Sequence, residues 1–212
     1  LNVRTRIKIC GLTRAEDVDA AINAGVDAIG FVFYPPSPRN LAIEQAAALA
    51  ARVPPFVTRV GLFVNENESA VKQALAAVAL DLLQFHGEES EAYCCSFGRP
   101  YIKVARVRPG LDLVEFARSY PSAAGLLLDS YVEGYGGKSE TFDWSIIPSR
   151  LPLPVILSGG LHGGNVAAAI RQLHPWAVDV SSGVESSKGI KNAAKIADFV
   201  TAVTHADSLP IS

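Results

Sequence analysis

One pattern constrains this chain more than any other. Short, almost continuously apolar runs recur along its whole length, each followed by an Ala-rich segment with helical spacing. The runs fall at 7–10, 28–33, 58–64, 80–85, 101–107, 125–129, 154–158 and 177–181. A strand with one wet face alternates apolar and polar residues. These runs do not, so both their faces are covered and they read as parallel strands. Between them, Val71, Leu75 and Val78 stand at i, i+4 and i+7 of one helix face, and Val18, Ile22 and Ala24 mark another. Thr13-Arg14-Ala15-Glu16 reads as a capping box opening the first helix, and Asn65 with Glu68 as a second. The sixth connection differs: a Gly-rich loop over 131–138 leaves space only for a short helix around 144–147.

Eight strand–helix units, spaced roughly 25 residues apart, run on with no linker or composition break. They predict one α/β domain over 1–212, a (β/α)8 TIM barrel of eight parallel strands. It is lean beside the roughly 250 residues usual for that fold. The competing open, doubly wound sheet normally has about five or six strands. A hydrophobic share of 49% against 19% charged residues is enough to fill such a core. The formal charge of −2 and the lack of a basic block argue against nucleic acid as partner. No apolar run reaches the ~18 residues of a membrane span, and the greasiest stretch, 74–85, is broken by Asp81. No signal-peptide core precedes the first strand, and the three cysteines have no framework spacing. A cytoplasmic enzyme or binding domain is the expectation, with no membrane partner.

In a barrel the chemistry collects at the strand C-termini. Read in order, those ends carry Cys10-Gly11, Tyr34 leading to Ser37-Pro38-Arg39, Asn65, Gln84-Phe85-His86-Gly87, Arg106, Asp129, Ser158-Gly159-Gly160 and Ser181-Ser182-Gly183. Polar groups are costly to bury without partners, so this ring implies a wet or ligand-filled mouth. The glycine loops after strands 7 and 8 are either tight turns or a cradle whose backbone N–H groups approach a phosphate. Cys10 is either a small buried hydrophobe or a nucleophilic or basic thiol, with Lys8 two residues back on the same side of the strand. Asp129 ends an apolar run and is either a hydrogen-bonded structural group or a proton donor. Strands 1 and 6 lie three steps apart around a closed barrel, so Cys10 and Asp129 face each other across the mouth. Arg39, after a Pro-Ser-Pro turn, is either a carboxylate fork or a solvated loop arginine. His86, His162, His174 and His205 lack ligand spacing, so no metal is expected. Cys94 and Cys95 read as helix packing.

Eight segments together resemble phosphoribosylanthranilate isomerase. They are Lys8-Ile9-Cys10-Gly11-Leu12-Thr13, Phe31-Val32-Phe33 through Arg39, Gly61-Leu62-Phe63-Val64-Asn65 and Leu83-Gln84-Phe85-His86-Gly87. Further on come Leu128-Asp129-Ser130, Thr141-Phe142-Asp143-Trp144, Ser158-Gly159-Gly160-Leu161 and 179–185. The resemblance implies a cofactor-free Amadori rearrangement of N-(5′-phosphoribosyl)anthranilate in tryptophan biosynthesis. By it, Cys10 is the general base and Asp129 the general acid. Arg39 holds the anthranilate carboxylate, Asp179 lies near the ligand, and Gly159, Gly160, Ser182 and Gly183 hold the phosphate. Gln84 and His86 count as further substrate contacts. One departure is visible: the family usually has Gly-Gly-Thr-Gly before Thr-Phe-Asp-Trp, and this chain has Gly136-Gly137-Lys138-Ser139-Glu140. Two other readings stay open, an aminoaldose isomerase of histidine synthesis and a non-catalytic phosphate-ligand sensor. The expected assembly is a monomer or weak homodimer.

Overall fold

The eight apolar runs become eight parallel strands that close on themselves in the order β1 to β8. The structure is a computed structural model and describes residues 4–131 and 141–208. Its strands are β1 (Arg6–Cys10), β2 (Ala28–Phe33), β3 (Thr58–Phe63), β4 (Leu82–Phe85), β5 (Tyr101–Val107), β6 (Gly125–Ser130), β7 (Val155–Leu157) and β8 (Ala177–Val180). Helices α1 (Ala15–Asn23), α2 (Ile43–Ala50), α3 (Glu68–Ala77), α4 (Glu91–Cys95), α5 (Leu113–Arg118), α6 (Val166–Leu173) and α7 (Ala193–Ser208) alternate with them. A 3₁₀ turn, Trp144–Ile146, stands where the sixth helix would be. Pairing of Ile7 with Val178 and of Ile9 with Val180 closes the ring.

Period-2 alternation sorts each strand into two jobs. Ile7, Ile9, Ile29, Phe31, Leu83, Phe85, Leu126, Leu128 and Val178 pack outward against the helices in the main core. Ile102, Val104, Leu127, Ile156 and Ala177 fill the lower barrel interior. Cys10, Val32, Leu62 and Val64 form a third apolar group at the mouth. Between the two inner groups lie polar side chains, among them Lys8, Gln84 and Asp179, each no more than 5% exposed. The barrel is therefore closed below by hydrocarbon and carries its charge under the mouth.

Two local expectations are corrected. Thr13 does not cap α1: Arg14 holds that position without a side-chain cap. The Thr13 hydroxyl instead donates to Gly189 O at 2.6 Å. That carbonyl belongs to a hairpin, β9 (Glu185–Ser187) and β10 (Ile190–Lys191), which folds back over the start of α1. At α3 the cap is Asn67, whose Oδ1 accepts from Ala70 N at 2.9 Å. Asn65 has a left-handed φ of 49° and accepts instead from Glu88 N at 2.6 Å. In both places a tertiary partner outcompetes the local cap. Among the described residues no helix is long and apolar enough to cross a membrane. The Lys138 departure lies outside the described residues.

Candidate active site

The C-terminal ends of the strands surround one open cleft. Cys10, Arg39, Gln84, His86, Asp129, Gly159, Gly160, Asp179 and Ser182 all line it, beside an apolar wall of Val32, Leu62 and Val64. Nine residues picked out from six strand ends thus share one cavity. Gly183 is the exception. A Cβ on it would lie 1.9 Å from Leu161 O, so this glycine lets the loop after β8 pass over the loop after β7. In that second loop Gly159 and Gly160 have φ of 80° and 66°, which a side chain resists. The two loops are packed together on one side of the cleft.

Cys10 and Lys8 both point inward from β1 because they are two residues apart. Gly30 on β2 makes room for their tips: a Cβ there would stand 2.9 Å from Cys10 Sγ and 3.3 Å from Lys8 Nζ. Lys8 Nζ is bound to Asp179 at 2.9 Å across the β1–β8 seam. Burial pushes the Cys10 thiol up, and the positive charges of Lys8 and Lys191 offset this only in part. Burial also works against the Lys8 ammonium, but Asp179 and Cys10 more than compensate and hold it charged.

Across the mouth, Asp129 is tied down rather than free. Its Oδ1 accepts from Ser130 N at 2.9 Å, and its Oδ2 lies 3.2 Å from His86 Nε2. Gln84 Nε2 stands 3.3 Å from His86 Nδ1. With Gln84 donating there, the ring proton sits on Nε2 and is directed at Asp129. Gln84 Oε1 is buried with no hydrogen-bond partner among the described residues, which leaves an acceptor at the cleft floor. The loop carrying His86 is held from behind. Fully buried Lys103 donates to Gly87 O at 2.6 Å and to Glu89 at 2.7 Å. Gln84 and His86, which both line the cleft, also form a chain leading to Asp129.

Arg39 is not a solvated loop arginine. Its stem lies over Gly11, where a Cβ would be 2.4 Å from Arg39 Cδ. Its Nε and Nη2 donate to Glu185 at 2.7 and 2.8 Å, with both side chains under a tenth exposed. Lys191 Nζ also donates to Glu185, at 2.9 Å. Sequence reading assigned no role to Glu185 or Lys191. Nothing local signals it, since Arg39 and Glu185 are 146 positions apart. Among the described residues no cluster of three or more His, Cys, Asp or Glu side chains is arranged to hold a metal.

A carboxyl group, a thiol, a buried arginine and paired glycine loops around one barrel mouth define a (β/α)8 enzyme that moves protons on a small anionic ligand. The comparisons name it more closely. Residues 7–202 match the family model described as N-(5′-phosphoribosyl)anthranilate (PRA) isomerase. The chain is 62% identical over 205 residues to the N-(5′-phosphoribosyl)anthranilate isomerase of Dechloromonas aromatica, covering 97% of this chain and 99% of the relative. The crystal structure of phosphoribosylanthranilate isomerase from Thermotoga maritima superposes with a TM-score of 0.87 at 39% identity, over 95% of this chain and 99% of that one. A further structure of such an isomerase, in complex with reduced 1-(o-carboxyphenylamino)-1-deoxyribulose 5-phosphate, gives 0.84 at 37% identity, over 95% and 99%. The chain belongs to the phosphoribosylanthranilate isomerase family. It is an aldose–ketose isomerase of tryptophan biosynthesis.

Proposed function

We propose that Cys10 and Asp129 carry the two proton transfers of this isomerisation, on a substrate held at its two anionic ends. The observation that supports this is the placing of both groups on one cleft, between the glycine loops and Arg39. The phosphate of N-(5′-phosphoribosyl)anthranilate rests on backbone N–H groups of the loops at 159–160 and 182–183. Its aromatic carboxylate meets Arg39. Asp129, protonated at the start of the reaction, delivers the proton needed at the furanose oxygen, and His86 holds its carboxyl in place. The C1′–O bond then breaks as the nitrogen lone pair forms an iminium. That acidifies the C2′ proton, which the Cys10 thiolate removes to give an enolamine. Transfer of the 2′-hydroxyl proton to C1′ completes the ketone. The product has the substrate's atoms, and exchange with water resets Asp129 and Cys10. No external oxidant or reductant enters, so the reading requires neither cofactor nor metal. The whole of 1–212 acts as one domain, in the cytoplasm, as a monomer or weak homodimer.

Each positioned proton transfer is worth about 10²–10⁴-fold. Cys10→Ser and Asp129→Asn should each lower kcat by about 10²-fold or more, followed as loss of substrate fluorescence. Binding of the reduced product analogue should stay within a few-fold. Near-normal turnover by either variant removes that residue from the mechanism. Cys95→Ser controls for thiol chemistry elsewhere, since Cys95 is exposed on α4, outside the cleft.

A further inference from the structure

The buried group formed by Arg39, Glu185 and Lys191 sits beside the cleft, and the proton transfers do not use it. Glu185 grips the guanidinium side-on, through Nε and Nη2. Nη1 has no hydrogen bond among the described residues, so its hydrogens and the second hydrogen of Nη2 form a free fork at the far end. That end-on fork has the geometry for a second carboxylate. Gly11 keeps the stem from sliding, because the chain there lies directly under Arg39 Cδ. Glu185 is in turn fixed by Lys191, which also donates to Ser181 O at 3.1 Å and Ser181 Oγ at 3.2 Å. Ser181 opens, and Glu185 closes, the turn Ser182–Val184 of the glycine loop after β8. One segment therefore carries the glycine loop after β8 and the carboxylate that grips Arg39.

We propose that Glu185 is a positioning residue for substrate selection. It orients Arg39 so that the fork faces the cleft, and Lys191 fixes Glu185 in turn. The inference rests on the reading that Arg39 takes the substrate carboxylate. Two positive charges around one carboxylate leave the group one charge short of balance, and a ligand carboxylate completes it. In Glu185→Gln one acceptor becomes an N–H donor facing Arg39 and Lys191. The grip opens and the fork loses its direction.

The test compares inhibition by reduced 1-(o-carboxyphenylamino)-1-deoxyribulose 5-phosphate with inhibition by the same compound lacking the carboxylate. Wild type should favour the first. In Glu185→Gln that preference should fall about tenfold, on the scale of one charge-assisted hydrogen bond. Inhibition by inorganic phosphate should stay within about twofold of wild type, because the glycine loops keep their own packing. A purely structural pin would lower Tm and leave the preference intact; that result overturns the proposal. Tighter binding of the carboxylate compound also overturns it, since Glu185 would then be a competitor for Arg39. If Glu185→Gln does not fold, Glu185→Asp decides. It keeps the charge but retracts it by one methylene, so a reduced preference supports the proposal and a wild-type preference refutes it. If wild type itself shows no preference, the assignment of Arg39 fails first, and Glu185 has nothing to position.

Discussion

Gly30 supplies the most direct test of how the base is housed. It faces inward from β2 beneath Cys10, and its missing side chain is the space in which Cys10 and Lys8 meet. In Gly30→Ala the new methyl would lie 2.9 Å from Cys10 Sγ, 3.3 Å from Cys10 Cα and 3.3 Å from Lys8 Nζ. Non-bonded carbon contacts settle at about 3.5–4.0 Å, so the sulfur must withdraw by roughly 0.6–1.1 Å or the strands must part. Overpacking of this kind costs about 1–3 kcal/mol. For a domain of this size that is a Tm loss of roughly 2–12 °C, at about 2–4 °C per kcal/mol. Function should suffer more, because a misplacement of about 1 Å at reacting groups costs on the order of 10²-fold. Gly30→Ala should therefore lower kcat by roughly 10–100-fold while the protein stays folded at assay temperature. Turnover by fluorescence and a thermal melt on the same preparation read both effects. A folded variant with kcat within twofold of wild type would show that the sulfur need not occupy this position, and the placing of the base would be wrong.

Four further outcomes rest on single contacts of the fold. Because the thiolate is the working form of Cys10 and burial pushes the thiol up, kcat/KM should keep climbing past the pH of about 8.5 at which a free cysteine is half ionised. Lys8→Met removes the leading charge that opposes burial, so that climb should move to still higher pH; an unmoved limb would separate Lys8 from Cys10. Lys103→Met leaves Glu89 as an unpaired charge with its side chain 3% exposed, and should cost about 3–5 kcal/mol in urea unfolding, with Glu89→Gln added to it recovering part of the loss. A loss under about 1 kcal/mol would mean that the pair does not brace the loop behind His86. At α3, Asn67→Ala should cost about 1 kcal/mol as a lost N-cap, read by thermal melting, and an unchanged Tm would place the cap elsewhere.

Periodicity and strand-end chemistry made the architecture legible from the residues alone. Eight doubly covered apolar runs with helices between them admit little but a closed barrel, and the β/α order then assigns every polar strand end to one mouth. That is why Cys10, Asp129 and the glycine loops stand out before any coordinates, and why Lys8 was recognisable as sharing Cys10's side of the strand. These are properties of short windows and of chain order, where period 2 and period 3.6 act directly. The rest depends on distances between residues remote in sequence. Whether Lys8 and Cys10 face in or out is a choice between two registers, and it is settled by Ile7 and Ile9 finding helices to pack against. Thr13 and Asn65 have the chemistry of caps, yet Gly189 O and Glu88 N claim their side chains from other loops. The upward push on the thiol comes from burial outweighing two lysines, one of them contributed by the hairpin after β8. Arg39 looks like a loop arginine until Glu185, 146 positions away, closes on it. Local sequence determines which groups are available and on which element they stand. Only the closing of the barrel decides which of them touch, because burial, Coulomb attraction and hydrogen bonding act through space between parts of the chain that sequence order keeps apart.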